Sequence, residues 1–272
     1  MIPAAFDKTV AVTKLSIAAP CIEILADTGE VLATASAAFY LGDDGDYIVT
    51  NWHNLAGVNP LTGVPLSSSR RYPASVRIIG RHMYDDVWNV PITFEISIRH
   101  GHDGRYNWKQ HPLFVNKVDV AAIRIPDNIK LKLVHANSDI WTSPVIKGPR
   151  DEIFVLGYPL NISGGVNYPL WKRASIASEP SEDINGLPKY LIDTASRKGM
   201  SGAPFFYRSH VHLTNDDKLS VGQTAQIFYG IYSGRLVELG DSVADPIAAQ
   251  IGTVWKPAAV AEVVNHGTSP TL

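Results

Sequence analysis

The chain has 272 residues, of which 45 % are hydrophobic and 18 % charged, which is enough apolar material for a sizeable core in one or two domains. Its net charge of −2 argues against a general affinity for nucleic acid or for an anionic membrane surface, because both require a basic excess. Cys21 is the single cysteine, which excludes an intrachain disulfide, and no apolar run approaches the about 18 residues that a membrane-spanning helix needs.

Short β-type runs separated by turn residues fill the first half of the chain. The predicted strands are residues 31–40, 47–52, 74–79, 90–98 and 120–125. The sequence Gly-Asp-Asp-Gly-Asp at 42–46 predicts a hairpin between the first two. His53 directly follows the second run, so the prediction places it at a strand end.

The second half repeats this pattern, with predicted strands at 150–158, 170–177, 189–194, 203–207, 226–232 and 250–255. Residues 56–72 and 209–223 have the composition of inserted loops. Pro257 and Gly267 frame a predicted terminal helix. Even spacing of about a dozen short strands predicts an all-β fold of two antiparallel six-stranded β-barrels. We expect barrels at 1–126 and 150–256, a linker at 127–149, and a helix with a tail at 257–272.

A serine between glycines, in Gly199-Met200-Ser201-Gly202, follows the strand-like run at 190–194. Such a pattern alone is weak, since a chain of this length shows it by chance roughly one time in ten. It gains weight from His53 and Asp119 upstream. An imidazole that titrates near neutral pH can take the serine proton, and a buried carboxylate can orient that imidazole. We therefore predict Ser201 as the nucleophile, His53 as the general base and Asp119 as the orienting acid.

Three blocks of sequence carry a family resemblance: residues 37–53, ending in Thr-Asn-Trp-His; residues 118–121, Val-Asp-Val-Ala; and residues 192–204, containing Gly-Met-Ser-Gly-Ala-Pro. With their His, Asp, Ser order, they resemble the chymotrypsin-like (trypsin-like) serine peptidases, particularly the disulfide-free bacterial branch that includes Deg-type proteases. The resemblance implies an acyl-enzyme mechanism, with an oxyanion hole formed by the N–H groups of Gly199 and Ser201. Ser36 stands where many relatives carry glycine. Met200 replaces the aspartate of the activatable branch, so activation by a new amino terminus is not expected.

The resemblance also implies a specificity pocket. Ala195 corresponds to the base of the pocket for the residue before the cleaved bond, and Ser196 follows it. The adjoining wall would be Tyr232, Ser233 and Gly234. An uncharged base with an open mouth predicts cleavage after a medium apolar residue such as Leu, Met or Val. Lys198 at the rim offers the rival preference for Glu or Asp.

The sequence thus predicts a serine endopeptidase that cuts an extended polypeptide and needs no cofactor. One alternative is an inactive peptidase fold that serves as a peptide-binding module. Another is a protease held dormant until a protein regulator orders residues 197–201. The histidine pairs at 100 and 102 and at 210 and 212 leave a zinc site as a minor alternative. The absence of disulfides and of a signal-like start predicts a cytoplasmic location, with no nucleic acid or membrane as partner.

Overall fold

The computed structural model of the chain describes residues 13–85, 89–99, 105–138, 152–195, 197–213, 219–235 and 250–271. Its helices are α1 (Lys14–Ile17), α2 (Trp52–Ala56) and α3 (Pro257–His266), with a 3₁₀ turn at Pro159–Asn161. The strands of the first half are β1 (Cys21–Leu25), β2 (Val31–Ser36), β3 (Ala38–Gly42), β4 (Gly45–Thr50), β5 (Ser75–Met83), β6 (Asn89–Ser97), β7 (Trp108–Gln110) and β8 (Ala121–Arg124). Those of the second half are β9 (Glu152–Gly157), β10 (Leu170–Ile176), β11 (Lys189–Asp193), β12 (Pro204–Leu213), β13 (Leu219–Arg235) and β14 (Ile251–Trp255).

The second half is a closed antiparallel barrel of six strands, in the order β10-β11-β14-β13-β12-β9. Alternate residues point inward and form one apolar core, which includes Ile153, Tyr190, Phe205 and Val254. Closure removes the unpaired sheet edges that would otherwise promote aggregation. This barrel confirms the prediction for the second half.

The first half is built from eight strands in two four-stranded sheets, β2-β1-β5-β6 and β3-β4-β8-β7. The chain passes from one sheet to the other at Ala37, so the single strand predicted for residues 31–40 is two. Both sheets contribute to one buried core, in which Ile22 and Val76 of the first sheet cluster with Ile48 and Ile123 of the second. The all-β class and the chymotrypsin-like layout of two halves are confirmed, while the described residues of the first half form eight strands where five were located in the sequence and a six-stranded barrel was expected.

Two local predictions were wrong. His53 lies in the first turn of α2 and not at the end of a strand, because the helix begins at Trp52 and ends at Ala56, followed by Gly57 with a φ of +72°. The loop predicted at residues 209–223 is largely strand, since β12 continues to Leu213 and β13 begins at Leu219. The predicted hairpin at residues 42–46 is confirmed, with Gly42 paired to Gly45.

A further apolar cluster lies between the two halves and joins them. It contains Val118 and Val120 of the first half and Phe206 and Ile231 of the second, all buried. The same cluster includes the buried face of α3, formed by Ala259, Val260, Val263 and Val264. A shared core of this kind fixes the position of one half against the other, and with it the geometry of any site between them.

Helix α3 belongs to the second half in sequence but docks on the first. The Lys109 ammonium donates a hydrogen bond to the Val264 carbonyl at 2.6 Å. The Asp43 N–H donates to Asn265 Oδ1 at 3.2 Å, and the main chains of Gln110 and Thr268 exchange two hydrogen bonds. These hydrogen bonds attach the C-terminal end of α3 and Thr268 to the first half. Among the described helices, none has the length and apolarity to cross a membrane.

Candidate active site

His53 and Asp119 form a close pair at the junction of the halves. The imidazole Nδ1 lies 2.7 Å from Asp119 Oδ2, and the His53 N–H donates to Asp119 Oδ1 at 2.9 Å. An ionised carboxylate only accepts hydrogen bonds, so Nδ1 carries the proton and Nε2 is the basic nitrogen. Asp119 is 6 % exposed, and its Oδ2 also accepts a hydrogen bond from the Ser233 hydroxyl at 2.5 Å. Three hydrogen bonds thus hold this buried carboxylate in place.

The residues before His53 each hold another part of the site. The Asn51 amide donates to the Asp119 carbonyl at 2.7 Å, which fixes the segment just before β8 that carries Asp119. The Thr50 hydroxyl donates to the Ser36 carbonyl at 2.9 Å. Trp52 Nε1 donates to Gln110 Oε1 at 2.9 Å. The Thr-Asn-Trp-His sequence therefore connects His53 to three other segments of the first half.

Ser201 lies in a tight turn just before β12, between two glycines with positive φ. The φ of Gly199 is +92° and that of Gly202 is +83°. A side chain at Gly199 would place its Cβ 2.3 Å from the Tyr158 carbonyl oxygen, and one at Gly202 would place it 2.2 Å from the Ser36 carbonyl oxygen. Both contacts are too short for any residue with a Cβ, so the turn that presents Ser201 requires glycine on both sides.

The turn also orients two N–H groups for an anion. Its three successive carbonyls are all hydrogen-bonded: Lys198 O to the Leu160 N–H at 2.7 Å, Gly199 O to the Ser36 hydroxyl at 2.7 Å, and Met200 O to the Ala203 N–H at 3.0 Å. In a trans peptide the N–H points away from the preceding carbonyl. The Gly199 and Ser201 N–H groups donate to no other described residue, so the turn leaves free the two donors that an oxyanion hole needs.

Ser36 links this turn to the first half, a role that sequence reasoning missed. Its side chain is fully buried, and its hydroxyl donates to Gly199 O and accepts from the Tyr158 N–H at 3.0 Å. Its backbone N–H donates to the Ser201 carbonyl at 2.9 Å. One serine of β2 therefore binds both sides of the turn that carries the nucleophile.

His53, Asp119 and Ser201 line the same cleft, which has a volume of about 590 Å³. The other residues that line it come from the loop after α2, from residues 116–117 and from the second barrel, and are Asn59, Pro60, Leu61, Leu66, Asn116, Lys117, Leu187, Lys189, Ser233, Gly234, Thr253 and Trp255. No hydrogen bond joins Ser201 to His53, although both line this cleft. Apo geometry of this kind does not exclude a nucleophile and base pair, because such contacts are often long before the reacting complex forms.

Two opposing effects set the pKa of His53. Burial disfavours the imidazolium, while the charge of Asp119 and its hydrogen bond favour it. The second effect prevails, and the pKa of His53 is raised above its ordinary value. The imidazolium form of His53 is therefore stabilised by Asp119.

The residues predicted for the specificity pocket lie in different surroundings. Gly234 lines the cleft, and Ser233 does so while its hydroxyl holds Asp119. Tyr232 is 1 % exposed and packs in the core of the second barrel, so its ring does not form the cleft wall. Ala195 and Lys198 are exposed and lie outside the cleft lining, and Ser196 is outside the described residues.

The sequence also raised a zinc alternative. His100 and His102 lie outside the described residues, as do the side chains of His210 and His212. Within the described ranges, no group of three or more His, Cys, Asp or Glu side chains is arranged to hold a metal ion.

A barrel-based β fold that takes a histidine and an aspartate from its first half and a serine from its second has the chymotrypsin-like arrangement. No protein-family model matches the chain, and no curated protein matches it by sequence. Among solved structures, the chain is similar to the active form of the Rv3671c protease from M. tuberculosis, at 17 % identity and a TM-score of 0.46, covering 100 % of this chain and 97 % of that one.

Two further structures are similar over most of their length. One is the thermostable serine protease AL20 from an extremophilic microorganism, at 11 % identity and a TM-score of 0.47, covering 93 % of this chain and 98 % of that one. The other is the protease Anisep from Arthrobacter nicotinovorans, at 10 % identity and a TM-score of 0.46, covering 88 % and 90 %. The function proposed next is based on the site itself.

Proposed function

We propose that the protein is a serine endopeptidase in which Ser201, His53 and Asp119 hydrolyse a peptide bond through an acyl-enzyme. The observation that carries the proposal is the combined geometry of the junction. A buried carboxylate orients the imidazole at 2.7 Å, and the serine shares their cleft beside two free N–H donors. These are the base, the acid, the nucleophile and the oxyanion donors that acyl transfer requires.

In the first step, Ser201 Oγ attacks the carbonyl carbon while His53 Nε2 takes its proton. The carbonyl oxygen becomes an anion and accepts hydrogen bonds from the Gly199 and Ser201 N–H groups. The C–N bond then breaks, and the imidazolium gives its proton to the departing amine. Water repeats the sequence on the acyl-enzyme, again with His53 as base, and releases the acid product with Ser201 restored.

We propose an extended polypeptide as the substrate. Gly234 lies where β13 reaches the cleft, and a side chain there would meet no atom within 4 Å, so a second strand has room to approach this edge. Main-chain pairing at a strand edge supplies affinity without demanding a particular sequence. For the residue before the cleaved bond, the preference for a medium apolar side chain stays a prediction from the sequence, because Ala195, on which it was based, lies outside the cleft lining. The cytoplasm remains the proposed location, since Cys21 is a buried free thiol.

Labelling with a fluorophosphonate probe tests the proposal directly. The wild-type protein is expected to form one adduct, mapped to Ser201 by mass spectrometry, and to cleave peptides from a library. The Ser201→Ala variant is expected to lose the adduct and nearly all hydrolysis. Labelling at another serine would refute the nucleophile. A folded protein that neither reacts nor cleaves would instead favour the peptide-binding module. Reaction only after a protein partner is added would favour the dormant form.

A further inference from the structure

The cleft contains a cation that no described acidic group neutralises. Lys189 begins β11, pairs in the sheet with Trp255 of β14 and lines the cleft together with it. Its ammonium lies 5.6 Å from the centre of the Trp255 ring. The side chain is half-buried, and this burial lowers the pKa of Lys189. No ion pair joins Lys189 to a carboxylate in the described part of the chain.

A neighbouring lysine shows the contrast. Lys256 follows Trp255 directly, and its ammonium lies 2.6 Å from Asp183 Oδ1 and donates to the Glu182 carbonyl at 2.8 Å. Asp183 and Glu182, in the loop before β11, thus bind Lys256, which lies outside the cleft lining. Lys189 has instead an aromatic face and the cleft on its open side. A partly desolvated ammonium without a counter-ion is a binding point for an anionic group.

The other charged residues of the cleft also favour the binding of an anionic group. Lys117, which is exposed, lines the cleft from the first half, two residues before Asp119. Among the described residues of the lining, Asp119 is the only acidic one, and hydrogen bonds from His53 and Ser233 occupy its oxygens. The described part of the cleft therefore offers two ammonium groups and no carboxylate free to pair with them.

Apolar side chains line the same cleft as these two lysines. The loop after α2 brings Leu61 and Leu66 to the cleft, and Leu187 lies two residues before Lys189. Leu61 is 67 % exposed and Leu66 is 53 % exposed, so both become covered only when something fills the cleft. A substrate that covers them also removes water from around the lysines, and a charge pair inside becomes stronger.

We propose that Lys189, assisted by Lys117, forms a subsite that selects an acidic side chain among the residues preceding the cleaved bond. The proposal rests on the proposed function and names its substrate class: an extended polypeptide with Glu or Asp two to four residues before the cleavage point, beside apolar neighbours. We place the acidic residue there because Ser233 and Gly234 line the same cleft, and because β13 continues past its last residue paired with β12, with pairing to β14 on its other side. That part of the substrate would run along the edge that is left unpaired. This preference differs from the alternative given in the sequence analysis, in which Lys198 would select Glu or Asp as the residue directly before the cleaved bond.

The experiment compares kcat/KM for matched peptide pairs that carry Glu or Gln at each position from two to four before the cleaved bond. For wild type, Glu is expected to exceed Gln by about fivefold or more at one of these positions. Lys189→Met is expected to bring that ratio close to one, Lys189→Arg to preserve most of it, and Lys117→Met to reduce it partly. Lys130→Met is the matched control, because Lys130 is an exposed lysine that lines a different cavity. Its ratio should equal that of wild type.

Charge reversal gives a second measurement. Lys189→Glu is expected to replace the preference for Glu with a preference for Lys or Arg at the same substrate position. Thermal melting of each variant confirms that it is folded. A wild-type enzyme that cleaves peptides with equal rates for Glu and Gln at all three positions would overturn the subsite, as would a preference unchanged by Lys189→Met. These outcomes leave the proposed function intact, whereas absence of fluorophosphonate labelling at Ser201 would overturn the function itself.

Discussion

Replacement of Ser36 by alanine tests whether the turn from Gly199 to Gly202, which carries Ser201, depends on a side chain from the first half. The change removes the donor to the Gly199 carbonyl at 2.7 Å and the acceptor of the Tyr158 N–H at 3.0 Å. An unpaired buried polar group costs about 1–3 kcal/mol. Gly199 is half-buried, so water can replace part of the hydrogen bond that its carbonyl loses. We therefore expect the free energy of unfolding to fall by about 2–3 kcal/mol in total. This corresponds to a fall in Tm of about 5–10 °C for a chain of this size.

The same change should slow catalysis. The Gly199 carbonyl, once released, no longer fixes the turn that holds the oxyanion donors. Complete loss of one donor lowers kcat by about 10²–10³, so partial misplacement should lower it by about 10- to 100-fold. KM should change little, because the oxyanion exists only in the transition state. The assay is steady-state kinetics on one peptide substrate, together with thermal melting.

A matched control separates stability from catalysis. Ser16 is also buried and also joins distant segments, since its hydroxyl accepts a hydrogen bond from Trp171 Nε1 at 2.9 Å. It lies outside the cleft lining, so Ser16→Ala should lower Tm and leave kcat unchanged. If Ser36→Ala lowers Tm in the same way and keeps the wild-type kcat, the hydroxyl only supports the fold, and its role in positioning the oxyanion donors is refuted.

Three further outcomes are expected. The rate should be lost as pH falls through the raised pKa of His53, with a midpoint above the ordinary histidine value of about 6.5. A wild-type midpoint below 6 would contradict the assignment of His53 as the base. By the same assignment, Asp119→Asn should lower kcat on the order of 10⁴-fold. Gly202→Ala should destabilise the fold by about 3 kcal/mol or prevent folding, since its Cβ would overlap Ser36 O; an unchanged denaturation midpoint would be inconsistent with this turn. Burial, with the charge of Glu23, raises the pKa of Cys21 to about 12, so iodoacetamide should label it only in denaturant, and rapid labelling of the native protein would argue against this burial.

Periodicity was sufficient to place all six strands of the second barrel, because each contains an apolar run bounded by turn residues, but it missed the extensions of β12 and β13 into residues 209–223. It failed in the first half at Ala37, where a small buried residue allows the chain to pass from one sheet to the other without a turn signal. It also failed at β7, whose three residues Trp108–Gln110 are too few to show an alternation. The boundary at Trp52 was missed because a helix of five residues is set by its surroundings more than by helix propensity.

The site shows a similar division. His53, Asp119 and Ser201 were predictable because each belongs to a short block with its own chemistry, and the structure brings all three to one cleft. The groups that hold them were not predictable. Ser36 and Gly199 are 163 residues apart, and Ser233 and Asp119 are 114 apart. Hydrogen bonds of this range depend on how the two halves pack, and a single sequence has no local pattern that reports it.

The docking of α3 on the first half has a consequence for the order in which the fold is completed. During synthesis His53 and Asp119 emerge long before the helix, whereas Val264 and Asn265, which bind the first half, leave the ribosome after every described residue that lines the cleft. The junction core, which includes Val260 and Val263, is incomplete for the same period. The packing that holds the two halves around the cleft is therefore completed only after α3 has been synthesised, although the helix contributes no residue to the described lining.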